Sequence, residues 1–128
     1  MALLSTLDEV ITIVFPYPPA ALSPNARVHW TARAAATKAY RGDCYLHAAN
    51  ARVKLKSPVV ATVRFLVPDT GRRRDGDNAL AMTKALWDGC VNAGLLPGDS
   101  ARVLIVAMAR PLFVKGRWGV EITFEEAT

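Results

Sequence analysis

Long apolar segments are missing from this sequence, since no apolar run reaches the roughly 18 residues that a membrane-spanning helix needs. Cysteine is scarce too: Cys44 and Cys90 are too few for a disulfide framework and lack the spacing of a zinc site. Because each lies in an apolar helical stripe, we expect buried free thiols in a reducing compartment. The first ten residues lack a basic segment and make a poor secretory signal, so the expected location is the cytoplasm.

Nucleotide-binding and acyl-transfer motifs are absent as well. The sequence contains no Walker loop, dinucleotide-binding fingerprint or nucleophile elbow, so a nucleotide cofactor, nucleotide hydrolysis and acyl transfer have no support. The chain has 128 residues, of which 52% are hydrophobic and 21% charged, with no internal repeat or linker. These values predict a single globular domain over residues 1–128.

Acidic residues are few in the middle of the chain. Residues 27–117 contain 16 basic and 6 acidic residues, a net charge of +10, whereas five of the eleven acids lie near the ends. A surface of this sign attracts polyanions such as nucleic acid.

The hydrophobic periodicity predicts an α+β domain. Short β-branched or alternating runs indicate strands, and longer segments with a period near 3.6 indicate helices. The resulting order is βαβαββ, with a mixed sheet and two helices. The predicted elements are strands at Val10–Phe15, Val59–Val67, Arg102–Arg110 and Arg117–Glu125, a helix from the N-cap Thr31 to about Ala51, a helix from about Asp77 or Asn78 to Ala93, and a hairpin connection over Pro111–Gly116.

A candidate metal site lies at the junction between the second strand and the second helix. Asp75 and Asp77 are two residues apart in a turn, so both carboxylates can reach one hard cation such as Mg²⁺, for which Mn²⁺ can substitute. Such a cation activates water for attack on a phosphodiester. Three arginines directly precede these acids and can hold the flanking phosphates: Arg72, Arg73 and Arg74. The alternative is helix capping by Asp77 or Asn78.

Three charged residues further along extend this candidate site. In a continuous helix, Asp77, Lys84 and Asp88 fall within about 40° of one another. Lys84 can stabilise charge on a phosphate, or it can simply pair with Asp88, which is the weaker metal candidate. Asp99, in the turn after the helix, can supply a third carboxylate, or it can serve only to form the turn.

Several short motifs follow one another along most of the chain. They are Pro18-Pro19 leading to Ser23-Pro24-Asn25, then Arg27-Val28-His29-Trp30, Tyr40-Arg41, Arg73-Arg74-Asp75-Gly76-Asp77-Asn78, Lys84-Ala85-Leu86-Trp87-Asp88-Gly89, Asn92-Ala93-Gly94 and Asp99. In this order and spacing they resemble the RusA-like endodeoxyribonucleases, the Holliday-junction resolvases common in phages and prophages.

The resemblance implies an intertwined homodimer whose two active sites nick a four-way DNA junction symmetrically during recombination and repair. It implies that Asp75, Asp77 and Asp99 bind Mg²⁺ and that Lys84 is the catalytic lysine. The chain departs from the family pattern in two places. Gly98 stands where relatives often have a second acid, and the gap from Asn78 to Lys84 is three residues longer than in the shortest-spaced relatives.

The same resemblance places the first loop and first helix beside DNA. The candidate DNA contacts there, besides the three arginines above, are Asn25, Arg27, Arg33, Lys38 and Arg41. His29 and Trp30, like Asn25 and Arg27, can lie near the DNA as backbone contacts or a stacking platform. The favoured interpretation of Trp30 is a core or staple residue, and that of His29 is a structural role.

Three functional hypotheses remain open on the sequence. The first is a magnesium-dependent nuclease for branched DNA, the second a non-catalytic structure-selective DNA-binding protein, and the third a small interaction domain whose acids only cap helices. Metal-dependent cleavage separates the first from the second, and salt-sensitive DNA binding separates the second from the third.

Overall fold

The protein, seen in a computed structural model that describes residues 10–56, 58–68, 80–100 and 102–126, has the predicted α+β architecture. Two α-helices pack on a five-stranded mixed sheet. The elements are β1 (Val10–Phe15), a 3₁₀ turn (Ala20–Leu22), α1 (Trp30–Asn50), β2 (Val59–Val67), α2 (Lys84–Asn92), β3 (Leu104–Met108), β4 (Leu112–Phe113) and β5 (Gly119–Glu126).

The central strand is β2, as its apolar residues on both faces predict. It pairs in parallel with β3 and β4 along one side and antiparallel with β5 along the other. Strand β1 then pairs antiparallel with β5, which gives the order β1-β5-β2-β3. Because β2 and β3 are parallel, α2 lies in the crossover connection between them.

The core lies between the helices and one face of the sheet. On β2 the residues at positions 59, 61, 63 and 65 are buried, and they alternate with half-buried residues. In register with them, Val120, Ile122 and Phe124 of β5 are fully buried. Both helices add residues to the same cluster, including the two thiols of Cys44 and Cys90, which are free and buried as predicted.

The predicted hairpin over Pro111–Gly116 is wrong. Strand β4 continues along the same side of β2 as β3, with the pairs Val63↔Met108 and Leu66↔Leu112. The edge therefore has one extra residue between these pairs, beside Pro111, which has no N–H for the ladder. Strand β5 lies on the opposite side of β2, so β3 and β5 are not neighbours.

The start of the first helix differs from its prediction, and the second predicted helix is interrupted. Helix α1 begins at Trp30, and its N-cap is His29, whose Nδ1 accepts a hydrogen bond from the Thr31 N–H at 3.2 Å. Helix α2 begins at Lys84, after a turn at residues 82–83 in which the Thr83 hydroxyl donates to the Leu80 carbonyl at 2.6 Å. Residues 80–81 before this turn are helical, so the predicted helix is interrupted at residues 82–83. Asp77 lies outside the described residues, and its shared face with Lys84 stays a prediction.

Within the described ranges, neither helix is both long and apolar enough to cross a lipid bilayer.

Candidate functional site

A polar pocket opens where α2 packs against α1 and the turn after α2 folds back beside it. Its volume is about 330 Å³. The described lining residues are Arg41, Asp88, Val91, Asn92 and Asp99. The pocket therefore brings together one predicted metal ligand, one predicted DNA contact and a carboxylate that the sequence favoured only weakly.

Gly89 allows the two helices to meet at the floor of this site. A Cβ atom at Gly89 would lie 2.7 Å from the Arg41 carbonyl oxygen and 2.9 Å from the Tyr45 nitrogen, closer than real Cβ contacts. A residue without a side chain is therefore required here for the backbones to approach. Since Asp88 precedes Gly89 in the chain, the same contact places its half-buried carboxylate beside the α1 turn that carries Arg41.

The turn that carries Asp99 is anchored to the core by the residues that precede it. Helix α2 ends at Asn92, and Gly94 two residues later has φ +82°, a left-handed conformation that favours glycine. Leu95 and Leu96 follow it into the core with 0% and 2% exposure. The Leu95 carbonyl accepts a hydrogen bond from the Leu55 N–H at 2.9 Å, which ties this turn to the segment before β2. Asp99 itself is exposed, so its carboxylate is accessible to a ligand.

Lys84 is exposed at the first position of α2, one helical turn before Asp88. At this spacing the two Cβ atoms lie about 6 Å apart on one helix face. Helical side chains lean toward the helix N-terminus, so Lys84 leans away from Asp88 and toward the residues before the helix. The role of Lys84 at a bound phosphate stays a prediction.

The other predicted acids and the arginine cluster lie outside the described residues. These residues are Asp75 and Asp77 with Arg72, Arg73 and Arg74. In the part of the chain that the structure describes, no group of three or more histidine, cysteine, aspartate or glutamate residues could hold a metal ion. The described carboxylates alone therefore do not make up a metal site, and binding of Mg²⁺ by Asp75 and Asp77 stays a prediction.

The donors in the pocket suit a hard divalent cation. Asp88 and Asp99 offer carboxylate oxygens and Asn92 offers an amide oxygen, which are the ligand types that Mg²⁺ prefers. Magnesium keeps several of its waters, and an open pocket of this size has room for a hydrated ion. Arg41 adds a planar donor group that can hold a phosphate oxygen beside the cation.

The candidate DNA contacts of the first loop and α1 are placed differently from one another. Asn25, Arg27 and Lys38 are exposed. Arg33 is half-buried, and its guanidinium donates to the carbonyls of Ser23 at 3.2 Å and Ala26 at 3.0 Å. Arg33 thus holds the loop against the helix, and direct DNA contact by this residue stays a prediction.

Asn92 was not predicted as a site residue, and Asp88 was predicted only as the weaker metal candidate. A local signal existed, because Asp88 and Asn92 are four residues apart and so share one face of α2. Gly98, which directly precedes Asp99 in the turn, is tightly packed. A Cβ atom there would lie 3.1 Å from Cγ2 of Val103, so a side chain at this position requires Val103 to move.

No protein-family model matches the sequence. The chain is similar to an uncharacterized protein from Xylella fastidiosa (strain Temecula1 / ATCC 700964), with 36% identity over 91 residues. The match covers 68% of this chain and 60% of that protein, so this chain spans less than two thirds of its relative. The name of that protein describes no activity.

Proposed function

We propose that this protein is a magnesium-dependent endodeoxyribonuclease that resolves Holliday junctions and other branched DNA by symmetric nicking. The observation that carries the proposal is the pocket where Arg41, Asp88 and Asp99 meet. Asp88 and Asp99 can supply ligands to a metal ion, and the Arg41 guanidinium beside them can bind a phosphate. Phosphodiester hydrolysis at a metal site uses this combination. The proposed setting is recombination and repair in the cytoplasm of a bacterium or of a phage-infected host.

In this proposal the chain's own residues divide the work. Asp99 and Asp88, together with Asp75 and Asp77, hold the hydrated cation through their oxygens. When bound, the cation makes a coordinated water more acidic and stabilises negative charge on the phosphoryl oxygens. Arg41 holds a phosphate of the scissile strand by hydrogen bonds from its planar guanidinium group. Lys84 offsets negative charge at the phosphate from the start of α2.

The basic side chains of the first loop and α1 hold the DNA arms. Arg27 and Lys38 are exposed and can contact backbone phosphates, and Asn25 can do so through its amide. Such contacts position the DNA without reading its sequence, which suits a substrate recognised by shape.

The proposed assembly is a homodimer, because a four-way junction presents two equivalent strands to two active sites. The edge formed by β3 and β4 is the proposed contact surface. Five of its side chains are large hydrophobics and exposed: Ile105, Val106, Met108, Leu112 and Phe113. Apolar groups of this kind on a sheet edge mark association surfaces. A charge at Ile105, as in Ile105→Lys, is expected to shift the sedimentation coefficient from dimer to monomer.

Cleavage of a labelled synthetic four-way junction, in Mg²⁺ and in EDTA, tests the proposed activity. The native chain is expected to produce paired symmetric nicks that disappear in EDTA and in Asp77→Asn. Asp43→Asn is the matched control, since Asp43 is an exposed acid on α1 that is not among the described lining residues of the pocket. Its nicking is expected to equal that of the native chain.

Tight binding of the junction with no cleavage in Mg²⁺ or Mn²⁺ would contradict the nuclease. That result would support the alternative, a non-catalytic structure-selective DNA-binding protein. Absence of salt-sensitive DNA binding would contradict both and leave the small interaction domain.

A further inference from the structure

Trp30 is an exposed aromatic residue whose position the core does not explain. It is the first residue of α1, and 73% of its surface is exposed, whereas Trp87 of α2 is 9% exposed. The interpretation of Trp30 as a core or staple residue is therefore wrong. An indole ring left in water forgoes the gain from burial, and such rings are typical of binding surfaces, where they provide a large and rigid contact.

The neighbouring histidine ring is held in place beside the indole. Because His29 Nδ1 accepts the hydrogen bond of the N-cap, its ring orientation is fixed by the start of the helix. The Thr31 hydroxyl also lies 2.7 Å from this nitrogen. The His29 and Trp30 ring centroids are 5.7 Å apart, with an angle of 31° between the planes. The two rings thus form a small aromatic surface in which the N-cap holds the histidine ring.

The charge around this surface has one sign. Residues 10–42 contain four basic residues, Arg27, Arg33, Lys38 and Arg41, and no acidic residue. Arg27 and Lys38 are exposed on either side of Trp30 in the sequence. Flat aromatic rings among cations match a single-stranded or unstacked nucleic acid, whose bases present π faces and whose backbone is anionic.

Trp30 also faces the same side of α1 as the pocket. It precedes Arg41 by eleven residues, which at 100° per residue differs from three full turns by about 20°. The same spacing places the two residues about 16 Å apart along the helix axis. In a stacked duplex arm, successive phosphates of one strand rise about 3.4 Å each, so this distance corresponds to roughly five stacked nucleotides leading to the unpaired base.

We propose that Trp30, supported by His29, is a stacking platform for an unpaired DNA base about five nucleotides from the pocket. Branched DNA offers unstacked bases where arms meet, whereas a continuous duplex does not, so the platform gives selectivity for branches. The proposal rests on the DNA-binding function proposed above and deepens it.

Fluorescence anisotropy in EDTA, at one fixed salt concentration, tests the platform without cleavage. The probes are a labelled four-way junction and an uninterrupted duplex of the same sequence, both with fully paired ends. Stacking of one base contributes about 1–3 kcal/mol, so Trp30→Ala is expected to weaken junction binding about fivefold to 150-fold. Duplex binding is expected to stay unchanged. Trp30→Phe, which keeps a ring, is expected to retain most of the junction affinity.

The matched control is Leu46→Ala, which also removes an exposed apolar side chain from α1, at 64% exposure. It is expected to bind both probes as the native chain does. Equal junction binding by native protein and Trp30→Ala overturns the platform, and the nuclease proposal survives if both still cleave in Mg²⁺. Failure of the native chain to bind either probe overturns both proposals. A change in sedimentation of Trp30→Ala also overturns the platform, because it assigns Trp30 to a contact between copies.

Discussion

The two halves of α1 have opposite environments within one continuous helix. In residues 30–39 no side chain is buried, whereas in residues 40–50 Tyr40, Cys44 and Ala48 are buried at intervals of four. The first half contains five alanines, so intrinsic propensity stabilises it where burial does not. Burial of Tyr40, Cys44 and Ala48 fixes the second half in the core. Because the helix is continuous, the position of the second half also sets the direction of the first half.

The two halves of α1 have different roles. The second half carries Arg41 into the pocket through the close contact at Gly89, and the first half presents Trp30 and Lys38 to solvent. A change in the second half is therefore expected to alter stability and the site together. A change at an exposed residue of the first half, such as Trp30 or Lys38, is expected to alter ligand binding with little effect on stability.

The largest expected effect is that of Gly89→Ala. Its new methyl group meets backbone atoms of α1 at under 3.0 Å, so the helices must separate. Overpacking of this kind costs about 1–3 kcal/mol in the free energy of unfolding, and separation also spreads the pocket. Urea unfolding measures the loss, and nicking of the junction is expected to fall with it. A native-like urea midpoint for Gly89→Ala would contradict the close helix contact.

A loss of stability at alkaline pH is expected next. Burial raises the pKa of Cys44 to about 12 and also raises the pKa of Cys90 and of the Tyr40 hydroxyl. The unfolded thiols ionise near pH 9 while the folded ones stay neutral, so stability is full below that pH and falls above it. Each thiol is expected to remove about 1 kcal/mol by pH 10.

Urea midpoints at pH 7 and pH 10 measure this loss. The double variant Cys44→Ala with Cys90→Ala is expected to show a smaller difference between the two pH values, whatever its absolute stability. An unchanged difference would contradict the assignment to the thiols.

A smaller loss is expected for Tyr40→Phe. The Tyr40 hydroxyl donates to the Pro16 carbonyl at 2.8 Å and ties the buried half of α1 to the end of β1. Its removal is expected to cost about 1–2 kcal/mol. Tyr45→Phe is the control on the same helix, because Tyr45 is 41% exposed, and it is expected to stay within about 0.5 kcal/mol of the native value. Equal losses for the two variants would contradict the structural role of Tyr40.

The smallest effect is expected at Gly42, and its sign is opposite. Nothing lies within 4 Å of a Cβ atom there, so Gly42→Ala gains helix propensity without a clash. The expected gain is up to about 1 kcal/mol in the free energy of unfolding. A loss of stability would show that α1 is not a regular helix at this point.

Local patterns predicted the elements that the core defines. The β-branched run of β1, the apolar residues on both faces of β2 and the alternation in β5 all gave the correct strands. The N-cap His29 was missed because histidine is an uncommon cap, and Thr31 is a common one. A hairpin was predicted over Pro111–Gly116 because proline and glycine also mark turns. Only the sheet order shows that β5 lies on the far side of β2.

The candidate site was predictable in part. Asp99 and Arg41 were named from the sequence, and both line the pocket. The grouping of Asp88 and Asn92 with them depends on the contact of Gly89 with Arg41 and Tyr45, which joins residues more than forty positions apart. Sequence periodicity places residues on a helix face, but it does not say which other helix that face meets.

The most direct measurement is the affinity for Mn²⁺, followed by electron paramagnetic resonance, of the native chain, Asp99→Asn and Asp43→Asn. If the pocket holds the cation, Asp99→Asn is expected to weaken binding by at least about tenfold, with Asp43→Asn equal to the native chain. Native affinity in Asp99→Asn, or an equal loss in both variants, would contradict a metal site in this pocket.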